Sequence, residues 1–167
     1  PVHALRLHEA GVSPMWRSSV IRAEDVFAPR LAVMPLRSSC ADPTESAIGE
    51  LVCESLISRL AAAETLRVVS RLTTSALGRR MLSASQIGEQ LQVAYVLCGS
   101  MRSNGMQLTV DLELCEARSD TVLLTHRQTL AAADLLRADD DFSAEIAAMV
   151  SAAIVSHQVR RTRVFPL

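Results

Sequence analysis

The chain has 167 residues, 49% of them hydrophobic and 21% charged, with a net charge of −1 and an isoelectric point near 6.5. That is enough apolar material for the core of one domain with a short appendage, and the near-neutral balance supplies no global field to attract polyanions or anionic membranes. All 17 basic residues are Arg, which excludes a Walker-A phosphate loop, a Schiff base and a Lys general base.

Residues 1–30 mix Pro, Gly, Ser and Arg without sustained periodicity, apart from an extended-looking Pro1–Leu7, and 8–30 read as a linker or docked arm. The domain proper is expected over 31–158, with 159–167 as a connector. Leu31–Leu36 is a short continuous apolar run, the pattern of a central strand covered on both faces, and Pro35 stops its ladder. Asp42-Pro43-Thr44-Glu45 marks a helix start, with Asp as N-cap, Pro at the first helical position and Glu at the third. Ile48, Leu51, Val52, Leu56, Ile57 and Leu60 then recur at three- and four-residue spacing, which predicts one helix face packed on a sheet.

Leu66–Ser70 reads as a second strand, far enough from the first for a parallel βαβ crossover. The stretch 73–80 is polar and reads as irregular, and Ser83-Ala84-Ser85-Gln86 is a capping box opening a helix that ends near Gln92. Ala94–Cys98 begins a third strand running through Gly99 to Arg102, with Gly99 read as a bulge. Asn104-Gly105 separates it from the alternating run Leu108, Val110, Leu112 and Leu114, a hairpin signal. Ser119-Asp120 turns into a last strand over 122–127, so the sheet ends as an antiparallel meander. A short helix is expected over 131–137, then a long one with Phe142, Ile146, Met149, Val150, Ala153 and Ile154 on one face. The fold class is therefore α/β, a two- or three-layer mixed sheet in the order β-α-β-α-β-β-β-α.

The chain carries no convergent catalytic motif. Asp139, Asp140 and Asp141 could hold a cation, but three consecutive carboxylates rarely converge on one ion, and their place at a helix start suits the positive end of its dipole. Gly99-Ser100 lacks the spacing of a nucleophile elbow. Cys40, Cys53, Cys98 and Cys115 have no C-x-x-C spacing and stand far in sequence from His3, His8, His126 and His157, so they read as small thiols of a reducing cytoplasm, without a zinc motif. His126 and His157 read as structural, Met81 and Met101 as core, and the Arg clusters at 79–80 and 160–163 as solvated faces. Five aromatic residues offer few stacking platforms for bases. No run approaches 18 consecutive apolar residues. Catalytic, cofactor and metal sites are therefore expected to be absent. The default place for a binding site is the pair of loops 37–46 and 71–82, which follow the C-terminal ends of the first two strands.

The pieces Leu31–Leu36, Asp42-Pro43, Ile57–Leu60, Leu66–Arg71, Ile87–Leu91 and Tyr95–Arg102, in this order and spacing, resemble the TolB N-terminal-like family over residues 31–158. The resemblance implies a fold like that of anticodon-binding domains. It also implies a noncatalytic regulatory module, as found in bacterial class III adenylate and guanylate cyclases before tetratricopeptide repeats. Pro1–Leu7 resembles the final strand of such a cyclase domain. Leu36 stands where the family usually has Phe, and Leu124 where an aromatic residue is common, so a shared aromatic surface is not carried over. The expected partners are proteins or neighbouring domains in the cytoplasm, with a homodimer through sheet edges open, and with neither nucleic acid nor membrane. A TolB-like cell-envelope scaffold is the alternative, and a nucleic-acid role ranks below both.

Overall fold

The computed structural model describes residues 28–164, Cys40 and Ala138 excepted, and leaves the side chains of 135–140 undescribed. The expectations for Pro1–Leu7, most of the arm, Cys40, Asp139, Asp140 and the last three residues therefore fall, in whole or for their side chains, outside what is described. The elements in chain order are β1 (Arg30–Val33), β2 (Arg37–Ser38), α1 (Pro43–Ala62), β3 (Arg67–Val68), α2 (Arg71–Leu77) and α3 (Ala84–Leu91). They continue with β4 (Tyr95–Asn104), β5 (Gln107–Glu116), β6 (Thr121–Ala131), α4 (Ala132–Arg137) and α5 (Asp139–Val164).

The sheet runs β3-β1-β4-β5-β6, with β2 pairing β4 beyond the end of β1. β1 is parallel to β3 and β4, whereas the β4–β5 and β5–β6 ladders are antiparallel. The expected α/β class, mixed sheet and closing meander are thus present. The first strand is divided at Pro35, which has no N–H for the ladder, and pairing resumes at Arg37 against Ser100.

Local chemistry accounts for the helix starts. Asp42 accepts from the Thr44 amide at 2.9 Å with Pro43 behind it, and Ser83 and Gln86 form both halves of a capping box. Glu45 does not take the reciprocal part at α1. It is buried, and neither carboxylate oxygen has a hydrogen-bond partner among the described residues. Residues 73–77 of the stretch read as irregular belong to the helix α2. Ser70 caps it by accepting from the Thr73 amide, and Thr74 is fully buried with its hydroxyl donating to the Arg71 carbonyl, so tertiary packing overrides the modest helix propensity of its two threonines.

Two cores result. On one face of the sheet, Val52, Leu56 and Leu60 of α1 and Phe142, Ile146, Val150 and Ile154 of α5 pack on Leu31, Val33, Leu97, Met101, Val110, Leu112 and Leu114. On the other, Ile87 and Val93 cover Ala32, Met34, Val96 and Ala117. Among the described residues that second helical layer spans the parallel half, so they form three layers there and two under the antiparallel half. By length and composition α5 is able to cross a membrane, since an 18-residue window of it reaches a mean hydropathy of 1.3, and its buried stripe here lies in the first core.

Three placements differ from the sequence reading. Leu51 is 52% exposed, because the buried stripe of α1 follows 45, 49, 52, 56 and 60, and residue 51 lies about 100° around the helix from residue 52. Met81 is 83% exposed in the loop after α2, whereas Met101 is in the core as expected. Gly99 lies in unbroken register opposite Leu112, and the bulge falls instead in the β5–β6 ladder, between Leu114 and Cys115. Glycine is required at 99 because a Cβ there would stand 2.3 Å from the Asp111 carbonyl oxygen and 3.0 Å from Leu36 Cδ2.

Candidate functional site

Of the two loops expected to hold a site, 71–82 lines a cavity and 37–46 contributes Ser46 to it. The cavity, of about 250 Å³, opens at the C-terminal ends of β1 and β3, between α1 and α2. Ser46, Gly49, Glu50 and Cys53 line it from the α1 side, and Arg71, Thr74, Ser75 and Arg79 from the α2 side. The parallel strand order creates it: α1 leaves β1 and α2 leaves β3, and the two helices part where their strands end.

The cavity suits binding better than bond chemistry. The Cys53 thiol is its nearest approach to a nucleophile, and it points away to the Met34 carbonyl at 3.6 Å. Burial pushes its pKa up, against a smaller opposing effect from the Leu36 backbone and Arg71. Arg71 reaches Glu50 and Glu54 at 3.8 and 3.9 Å across an exposed rim, a loose arrangement that solvent screens.

The antiparallel half carries a second constellation, on the face that α1 and α5 leave open. Arg102 donates to Asp111 at 2.9 Å and Arg127 donates to its other oxygen, three side chains drawn together from β4, β5 and β6 by register. The Arg127 hydrogen bond, followed by that from Arg102, holds the Asp111 carboxyl below its ordinary value against a partial upward push from desolvation. Thr109 and Thr129 share a hydrogen bond at 3.0 Å in the next row. At the other end of this face Cys98, Glu113 and Cys115 gather, and burial followed by the neighbouring Cys98 pushes the Cys115 thiol up to about 11.

A third group joins α5 to the sheet. Tyr95, 2% exposed, shares a hydrogen bond at 2.9 Å with His157 Nδ1, and the rings meet edge to face at 5.7 Å. His157 Nε2 is 4.0 Å from Glu116, which also accepts from Arg161 at 3.2 Å and from the Ser119 hydroxyl. His157 thus ties the helix to the strand, as the structural reading expects, and Arg161 is ion-paired rather than merely solvated. His126 contacts Gln128 at 3.2 Å within β6. The Ser100 side chain has no part in any of these groups.

The sequence reading did not foresee the Arg102–Asp111–Arg127 row or the Cys98–Glu113–Cys115 cluster. Cross-strand register brings Cys98 beside Glu113 and Cys115, and the alternation of Thr109, Asp111 and Glu113 with buried residues was the available signal for their common face.

Comparison with functionally curated proteins gives no match. Among solved structures, the lipoprotein GNA1162 from Neisseria meningitidis matches with a TM-score of 0.52 and 13% identity, over 78% of this chain and 96% of that one, a likeness of fold alone. TolB from Acinetobacter baumannii matches with a TM-score of 0.48 and 18% identity, over 77% of this chain and 27% of that one. The LpoB C-terminal domain from Escherichia coli has the same score and identity, over 62% and 83%. A family model, the second domain of HilA/YgeH-like transcriptional regulators, matches residues 28–149, from just before β1 into α5. The chain therefore belongs to the family of HilA/YgeH-like transcriptional regulator second domains.

Proposed function

We propose that this chain is a noncatalytic regulatory and protein-interaction domain of a larger bacterial transcriptional regulator, acting in the cytoplasm on a protein partner or on neighbouring domains of its own chain. The family match over 28–149 carries the reading, since its description places such domains second in a regulator. The net charge of −1 supports assigning DNA contact to another domain, because sequence-independent DNA affinity comes from clustered cations. The described free cysteines support a reducing compartment. The corresponding division takes 1–30 as the end of a preceding domain plus linker, 31–158 as the domain and 159–167 as a connector.

The narrower setting, an adenylate or guanylate cyclase with tetratricopeptide repeats, is a second reading supported by the resemblance of Pro1–Leu7 to a cyclase strand. Reading the frame on both sides of this segment tests both. A DNA-binding domain encoded upstream supports the regulator, cyclase motifs there transfer the module to the second reading, and a secretion signal refutes the cytoplasmic assignment of both. Turnover of ATP or GTP by the purified chain refutes the noncatalytic part.

A further inference from the structure

Cys98 on β4 and Glu113 on β5 face each other directly across the ladder, and Cys115 stands two residues along β5 on the same side of the sheet. The two sulfur atoms and a Glu113 carboxylate oxygen all lie within 4.8 Å of one another. Cys115 is buried, Cys98 half-buried and Glu113 exposed, so the cluster sits where the second core opens to solvent. We propose that Cys98, Glu113 and Cys115 form a binding site for one soft divalent transition metal, with zinc the cation they fit best.

The geometry supports this in three steps. Zinc binds thiolate sulfur at about 2.3 Å and carboxylate oxygen at about 2.0–2.2 Å, so tetrahedral ligand atoms stand about 3.4–3.8 Å apart. Closing from the present spacing takes about 1 Å, which side-chain rotation of the exposed Glu113 and half-buried Cys98 supplies without moving either strand. Two sulfur ligands favour zinc over magnesium or calcium, which take oxygen. The carboxylate fills a third position and the fourth opens to solvent, free for water or for a donor from a partner.

The protonation balance is explicit. The carboxylate binds as the anion, each thiol gives up its proton to buffer, and one divalent cation replaces two protons. The site needs no short sequence motif, because residues 98 and 115 are brought side by side by a two-residue hairpin loop. It stands independently of the regulator assignment.

Cobalt(II) titration of the reduced full chain provides the test. The expected result is one cobalt per chain, with a sulfur-to-cobalt charge-transfer band, intense tetrahedral d–d bands, and bleaching of both by one equivalent of zinc. Cys98→Ser and Cys115→Ser should abolish the charge-transfer band, whereas Cys40→Ser and Cys53→Ser should keep it. Because Cys115 is buried, a fold check by circular dichroism accompanies it. Glu113→Gln, an exposed change, should weaken cobalt binding at least about tenfold with the fold intact. Absence of the band in the reduced chain, its persistence in both Cys98→Ser and Cys115→Ser, or unchanged affinity in Glu113→Gln would each overturn the proposal.

Discussion

Replacing two glycines of this chain by alanine should change stability in opposite directions. At Gly99 the new Cβ would lie 2.3 Å from the Asp111 carbonyl oxygen, 2.9 Å from Leu112 Cδ2 and 3.0 Å from Leu36 Cδ2. The nearest obstruction is backbone in the middle of the β4–β5 ladder, so β5 has to retreat by about 1 Å to reach an ordinary carbon–oxygen contact of about 3.3 Å. Overpacking of this kind costs about 3 kcal/mol, and replacing glycine within a strand returns about 0.5–1 kcal/mol, leaving a net loss of about 2 kcal/mol. At Gly49, inside α1, the nearest atoms are Met101 Cε at 3.5 Å and Leu36 Cβ at 3.7 Å, which is ordinary contact. Gly49→Ala should therefore stabilise by about 0.5–1 kcal/mol through helix propensity alone. With a urea m-value of about 2 kcal/mol/M, the far-ultraviolet dichroism midpoint should fall by about 1 M for Gly99→Ala and rise by about 0.3–0.5 M for Gly49→Ala. A tolerated alanine at 99, or shifts of the same sign at both positions, would refute the close approach of β5.

Ser83→Ala removes one half of the capping box at α3 and should lower stability by about 1 kcal/mol, read as a fall of about 2–4 °C in the thermal midpoint. Tyr95→Phe deletes the hydroxyl that meets His157 and should cost about 1 kcal/mol near neutrality. Burial and then Glu116 raise the Tyr95 phenol above 10.0, so its contribution holds below that pH and is lost as pH rises through the folded value; the Phe variant should lose stability less steeply in alkali. Arg127 and Arg102 hold Asp111 below 3.8, so its contribution is present above about pH 4 and lost as pH falls through the lowered value. Denaturation midpoints of wild type and Asp111→Asn, measured from pH 7 to pH 2, should accordingly converge in acid and separate above about pH 4.

What the sequence made legible was local. Asp42-Pro43, the Ser83 to Gln86 box and the alternation from Leu108 to Leu114 are signals written within a few residues of the structure they cause. At the hairpin, Gly105 with φ of 65° is the first of two loop residues, and Asn104 closes the ladder opposite Gln107. α2 was hidden because its stability comes from a cap at Ser70 and from burial of Thr74 under the rest of the fold, neither of which raises helix propensity. Gly99 was misread for a related reason, since a glycine in a strand pattern marks either a bulge or a close approach, and the approaching atoms come from Asp111 and Leu36. Topology accounts for a cavity at the ends of the parallel strands, while its lining depends on the relative positions of α1 and α2.

The unequal covering of the sheet also connects fold to function. Across the parallel half, helices shield both faces, as parallel strands require, and the residues there are spent on packing. Across the antiparallel half, β4, β5 and β6 present Arg102, Asp111, Arg127, Thr109 and Thr129 on a face that no helix among the described residues covers. Exposed ion pairs add little to folding stability, so the stability of the domain does not account for three charges aligned across three strands. A charged row fixed by ladder register is, however, a rigid pattern that another surface can match, with like charges rejecting wrong partners and opposite charges setting orientation. The same register puts two sulfurs and a carboxylate at the other end of the face, next to the second core. Both constellations therefore depend on strand pairing, which is why neither is written in the sequence as a short motif.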